Sequence, residues 1–174
     1  MGEGALLIAF ITVQRLAELW LAQRNTARLL AAGGIEFGRS HYPWMVALHA
    51  AWLGGLWLLA RDQPVNPILL AFFVLLQAGR LWVILSLGQR WTTRVIVIPG
   101  EQLVAGGPYR WFRHPNYLIV ALEIATVPLA LGLPIFAAVF TALNAVILYQ
   151  RIRVENAALM QATGQTLANE RRRL

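Results

Sequence analysis

The sequence predicts an all-α integral membrane protein with about five transmembrane helices, a long polar loop between spans three and four, and a helical extension at the C-terminus. Three observations carry this reading. The 174-residue chain is 58% hydrophobic and only 13% charged, and its mean hydropathy is positive, outside the range of soluble domains. Apolar runs long enough for a bilayer recur between turn signals. Arginines collect in alternate intervals between those runs.

Span one runs from Gly4 to Leu21, almost unbroken. Arg15 and Glu18 interrupt it one turn apart, as an intrahelical pair or an interface anchor with a snorkelling arginine. It follows Glu3 without a basic leader or a small-residue cleavage site, so it reads as a retained span. Gln23 to Tyr42 reads as a loop or surface helix, with Gly33-Gly34 as a helix stop. Span two, from Pro43 to about Ala60, opens on a proline that a first turn tolerates. It contains His49, and a lone histidine on an apolar helix is expected to bond to nearby backbone. The turn RDQPVNP leads to span three, Ile68 to Leu87. That span carries Arg80 at a depth where an arginine needs a partner. Span four, Tyr117 to Leu131, carries Glu123 at similar depth, which makes Arg80 and Glu123 a candidate intramembrane pair. Gly132-Leu133-Pro134 reverses the chain into span five, Ile135 to Tyr149. Spans four and five are short for full crossings and read as a tilted hairpin. RIRVENAALMQA continues span five as helix without a break signal.

All 15 basic residues are arginine against 8 acidic residues, giving a net charge of +7. Loop one, loop three and the tail hold all but three of them, the exceptions being Arg15, Arg61 and Arg80. The positive-inside rule then puts the N-terminus outside and the central loop and tail in the cytoplasm. Such charge suits anionic headgroups. Nucleic acid is discounted, because the tryptophans lie within apolar runs and not between basic residues. The chain has no cysteine, which excludes disulfides, thiolate catalysis and thiolate zinc sites, and no metal site is expected.

The chemistry is expected in Glu101 to Tyr117, EQLVAGGPYRWFRHPNY, the one long polar, glycine-bearing interval. Gly106 and Gly107 allow close backbone approach, Pro108 and Pro115 stiffen the path, and Tyr109 and Tyr117 offer flat faces with polar tips. The loop matches neither the dinucleotide fingerprint nor the phosphate loop. The hairpin of spans four and five should bring His114 to Tyr117 beside Arg151 to Glu155. Asn144, Arg151 and Glu155 fall on one stripe of span five, which could line a cavity or form a solvated exit.

The strings LVAGGPYRWFRHPNY and RIRVENAAL, with the LGQRWTT segment before them, resemble the isoprenylcysteine carboxyl methyltransferase family, whose pattern is LVxxGPYRxxRHPxY followed by RxxxEE. The resemblance covers about residues 88 to 160 of what reads as a single domain, 1–174, and is closest to small bacterial members, some of which methylate alkylpyrones. It implies an inner-membrane methyltransferase that takes S-adenosylmethionine from the cytoplasm and a lipophilic small-molecule or lipidated acceptor from the bilayer. By position, Gln102, Leu103, Val104, Gly107, Pro108 and Tyr109 would bind the cofactor, with His114, Pro115 and Tyr117 continuing the wall. Glu155 would hold its polar groups and Arg151 would steer the acceptor oxygen. The second acid of RxxxEE is Asn156 here, the loop starts on Glu101, and the tail after Gly164 lacks the family's aromatic and proline-bearing ending. Membrane sterol reductases, usually much longer, share an RHPxY stretch and use a nicotinamide cofactor. A non-catalytic membrane adaptor or transporter is the third reading.

Overall fold

The computed structural model describes residues 2–101 and 104–171. Five helices occupy the five predicted intervals: α1 (Glu3–Ala31), α2 (Tyr42–Leu59), α3 (Pro67–Leu87), α4 (Pro115–Ala130) and α5 (Pro134–Arg171). Pro67, Pro115 and Pro134 each open a helix, where the missing N–H has no intrahelical partner to lose. Asn66 caps α3, its side chain accepting from the backbone N–H groups of Ile68 and Leu69 at 3.0 and 3.2 Å. Among the described residues, α1, α3 with the 3-10 turn that follows it (Pro67–Arg90), and α5 as far as Gln161 are long and apolar enough to cross a membrane. α4 is a shorter apolar helix.

One expectation needs correction. Span one does not end at Leu21: α1 has 29 residues and extends about 43 Å at 1.5 Å per residue. The polar stretch from Gln23 to Leu30 holds no breaker, so the helix continues to Ala31 and is stopped by Gly33, where φ is +87°. There Gly34 N–H bonds Leu29 O at 2.8 Å and Gly33 N–H bonds Leu30 O at 3.1 Å, the paired closure of a Schellman stop. The all-α class holds, with a short ribbon that the sequence did not announce. Ile35–Phe37 (β1) and Val95–Val97 (β2) pair antiparallel, with Ile35 opposite Val97 and Phe37 opposite Val95. This ribbon ties loop one to loop three, so both lie at one end of the bundle, and α5 packs against both strands there.

The opposite end is closed by the remaining connections. Gly4 N–H bonds Gln63 O at 3.1 Å, Asn66 N–H bonds Ala130 O at 2.8 Å, and Val65 N–H bonds the Glu3 carboxylate at 3.0 Å. Between the two ends, Ile8, Ile11, Trp52, Leu56, Phe73, Ile124 and Val127 form a shared core of α1 to α4.

The expected Arg80–Glu123 pair forms, Arg80 Nε donating to Glu123 Oε1 at 3.0 Å. Arg15 and Glu18 join it and do not act as a separate interface anchor. Arg15 bridges Glu18 at 2.7 Å and also pairs with Glu123, and Arg80 reaches Glu18 at 3.2 Å. Gln77 donates to Glu123 at 2.7 Å. Two cations and two anions therefore neutralise one another across α1, α3 and α4, as a low-dielectric interior demands. His49 behaves as expected, its Nδ1 lying 2.8 Å from Met45 O on its own helix.

Candidate active site

The site is assembled where the ribbon, the start of α4 and the middle of α5 meet. Pro115, buried as the first residue of α4, sets the direction of the helix that carries Asn116 and Tyr117. On α5, Arg151 and Glu155 are four residues apart and so lie on one face. Tyr117 joins them. Its hydroxyl accepts from Arg151 Nε at 2.9 Å and donates to Glu155 Oε2. His114 stacks on Tyr117, ring centroids 5.4 Å apart, and its Nδ1 lies 3.4 Å from Glu155 Oε1.

Arg151 is 5% exposed and held from three sides. Besides Tyr117, its Nη2 donates to Thr93 O at 2.7 Å and its Nη1 lies 3.6 Å from Met45 Sδ. These contacts use three of the five N–H groups a guanidinium carries, so two remain for an anionic oxygen. The hydrogen bond to Glu155 raises the His114 pKa above its ordinary value, against the effect of burial. The imidazolium is thereby favoured as the partner of Glu155. Burial, with the Glu155 charge behind it, pushes the Tyr109 phenol up to about 12, so Tyr109 stays neutral.

Two cavities open on this cluster. The first, about 260 Å³, runs under β2 and past Tyr109 to His114, Glu155 and Leu159, with Arg90, Arg94 and Arg113 at its wall. The second, about 300 Å³, is predominantly apolar and lies among α1, α2, α4 and α5, reaching inward to His49 and Arg80. Trp91, Thr92, Asn116, Tyr117 and Arg151 line both. Within that shared wall Asn116 Oδ1 and Trp91 Nε1 are buried without a hydrogen-bond partner, an arrangement that costs free energy.

Of the residues singled out from the sequence, Val104, Tyr109, His114, Tyr117, Arg151 and Glu155 line the first cavity. Gly107, Pro108 and Pro115 do not line it. Pro108 is buried in the 3-10 turn Gly107–Arg110 that presents Tyr109. Gly107 has φ +60° and packs on α3, where a Cβ would collide with Ser86 Oγ. Its glycine is thus required by backbone conformation and helix packing. Gln102 and Leu103 lie outside the described residues. Asn144 is buried but outside both cavities, so the expected stripe reaches them only through Arg151 and Glu155. Sequence reasoning missed Asn116, Thr92 and the β2 wall. Asn116 sits inside the RHPNY string itself, and Thr92 inside LGQRWTT.

Comparison with known proteins identifies the family. Residues 69–161 match the model of the isoprenylcysteine carboxyl methyltransferase (ICMT) family. The chain is 41% identical to the uncharacterized protein YpbQ of Bacillus subtilis (strain 168) over 161 residues, 90% of this chain and 96% of that protein. It is 26% identical to an uncharacterized protein of Haemophilus influenzae over 162 residues, 87% of this chain and 91% of the relative. No solved structure matches. The matched segment is more than half of the chain and contains Tyr109, His114, Asn116, Tyr117, Arg151 and Glu155 but not Met45 or His49, and the chain belongs to the isoprenylcysteine carboxyl methyltransferase family of membrane methyltransferases.

Proposed function

We propose that the protein transfers a methyl group from S-adenosylmethionine to an acidic oxygen, carboxylate or enol, of a lipophilic acceptor such as a prenylcysteine-like or alkylpyrone-like lipid. In this reading the chain crosses the bacterial inner membrane five times, with the ribbon, central loop and tail on the cytoplasmic side. The observation that carries the proposal is the meeting of a cavity that bears charged side chains and a more apolar one at a single guanidinium, Arg151.

The first cavity suits the cofactor. Glu155 supplies a carboxylate to a ligand bearing two cationic centres, and the Tyr109 ring offers a flat wall for an aromatic base. The unpartnered Asn116 Oδ1 and Trp91 Nε1 lie in the wall where the two ligands would meet. When bound, S-adenosylmethionine supplies an electrophilic methyl group. Everything else falls to the chain. Arg151 holds the acceptor oxygen as an anion with its two remaining N–H groups. Tyr117 fixes the Arg151 plane through Nε, and Thr93 O fixes it through Nη2. His114 and Tyr117 together fix Glu155. A carboxylate or acidic enol arrives ionised, so no strong base is required, and alignment with exclusion of water is the main catalytic contribution. The second cavity accommodates the acceptor's hydrocarbon part, reached from the bilayer between α1 and α2.

The test is transfer of labelled methyl from S-adenosylmethionine to long-chain enol or prenylated carboxylate acceptors by the purified protein in lipid vesicles. Label appearing in the extracted lipid, and lost in Arg151→Ala, supports the reading. Absence of transfer to every such acceptor, with cofactor binding intact, removes it.

A further inference from the structure

Deep in the apolar cavity, on the α2 side, His49 has hydrogen-bonding capacity that no described residue uses. His49 Nδ1 lies 2.8 Å from Met45 O, and a carbonyl oxygen only accepts, so Nδ1 must carry the proton. In the neutral ring this makes Nε2, on the far side from that bond, an acceptor with a free lone pair. Its polar neighbours along the inner wall are engaged, apart from Arg15 Nε, which is a donor and not an acceptor. Thr12 Oγ1 donates to Ile8 O at 2.7 Å and accepts from Trp57 Nε1 at 3.1 Å. Arg80 and Glu18 are committed to the ion cluster. No hydrogen-bond partner is found for His49 Nε2 among the described residues. Met45, one helical turn before His49, touches Arg151 through its sulfur. His49 therefore stands one turn deeper along the same face of α2 than the guanidinium at the cavity junction.

We propose that His49 is a specificity-determining residue that accepts a hydrogen bond from a hydroxyl on the molecule occupying the bilayer-side cavity. The cavity wall is mostly apolar, so its occupant is a long-chain lipophile. The fixed tautomer offers a lone pair, so the occupant must bring a hydrogen. A lipid whose head is an ionised carboxylate alone has none to give. An acceptor with an O–H in its head satisfies Nε2 and keeps its chain in the apolar space. That the occupant is the methyl acceptor rests on the methyl-transfer reading. That it carries a donor for His49 rests only on the tautomer and the cavity.

The experiment uses the full chain purified in detergent, with a long-chain alkylphenol and its methyl ether as matched probes. Binding is followed by tryptophan fluorescence, since Trp52 and Trp91 line the cavity. Wild type should bind the phenol about tenfold more tightly than the ether, the scale of one hydrogen bond in a buried site. His49→Phe should abolish that preference while binding the ether as before. His49→Gln, whose carbonyl can reach the Nε2 position, should retain most of it. Equal binding of both probes by wild type, or a preference that survives in folded His49→Phe, overturns the proposal. Cofactor binding is measured on the same samples. A phenol preference without S-adenosylmethionine binding would uphold the His49 site and remove the methyl-transfer reading. Cofactor binding without a phenol preference would do the reverse.

Discussion

Tyr117→Phe deletes a single oxygen atom, yet among the described residues that oxygen is what links Arg151 to Glu155. Both hydrogen bonds it makes involve charged partners, Arg151 Nε at 2.9 Å and the Glu155 carboxylate. Bonds of this kind contribute about 1.5–3 kcal/mol each. The ring stays, and with it the stacking on His114 and the position of the Arg151 guanidinium about 5.5 Å from the ring centroid. Arg151 also keeps Thr93 O, and Glu155 keeps His114. Neither charge is therefore abandoned, and the protein should fold. What is lost is the angle of the guanidinium plane at the junction of the two cavities, and a misplacement of about 1 Å in such a site costs on the order of 100-fold in rate. We expect kcat to fall about 100-fold, equivalent to about 2.7 kcal/mol at 1.36 kcal/mol per decade. Acceptor KM should change by less than about threefold, because the apolar cavity that holds the chain is untouched. The assay is steady-state methyl transfer in vesicles, beside size-exclusion and thermal-melting controls. Activity within about threefold of wild type would show that Arg151 is not positioned by Tyr117 and would refute the reasoning.

Other outcomes follow from the same contacts. Arg80→Met should lower stability by about 3 kcal/mol, since Glu123 loses one of two guanidinium partners; thermal melts of Arg80→Met, Glu123→Gln and the double variant should show coupling of at least about 1 kcal/mol, and purely additive losses would rule out the pairing. Gly107→Ala should destabilise by more than about 1 kcal/mol, because φ is +60° and the new methyl meets Ser86 Oγ; Ser86→Ala should restore part of the loss, and a neutral Gly107→Ala melt would contradict this packing. The His114 pKa is raised in the folded state, by its Glu155 hydrogen bond first. The contribution of that pair is then complete below the unfolded value of about 6.5 and disappears as pH rises through the higher folded value. Melting temperature should accordingly decline across that window in wild type and show no such step in His114→Asn.

The helices were legible because apolar runs and their proline openings are local signals. Ile68 to Leu87 differs from α3 by one residue at its start, and the absence of a breaker after Tyr149 correctly implied a continuous α5. The extension of α1 to Ala31 was left open, since Gln23 to Tyr42 reads as a loop or surface helix and hydropathy does not choose between them. The ribbon was missed for another reason. Strands of three residues, 58 to 62 positions apart in register, leave no periodic trace and are held by each other and by packing against α5 and α1. In the site, residues with distinctive chemistry (Tyr109, His114, Arg151, Glu155) were visible, and the hairpin of α4 and α5 brought the last three together as expected. Gly107 drew attention as a ligand contact although its conformation serves α3, because a sequence shows that glycine is needed but not which neighbour requires it. Asn116 was passed over because an amide among bulkier motif residues carries no charge signal.

The most direct measurement is a calorimetric titration of the detergent-purified protein with S-adenosylmethionine, repeated with Glu155→Gln and with NADPH. The account predicts saturable binding by wild type, at least about tenfold weaker binding by Glu155→Gln as one charge-assisted contact is removed, and no binding of NADPH. Saturable NADPH binding with none for S-adenosylmethionine, or undiminished S-adenosylmethionine affinity in a folded Glu155→Gln protein, would contradict it.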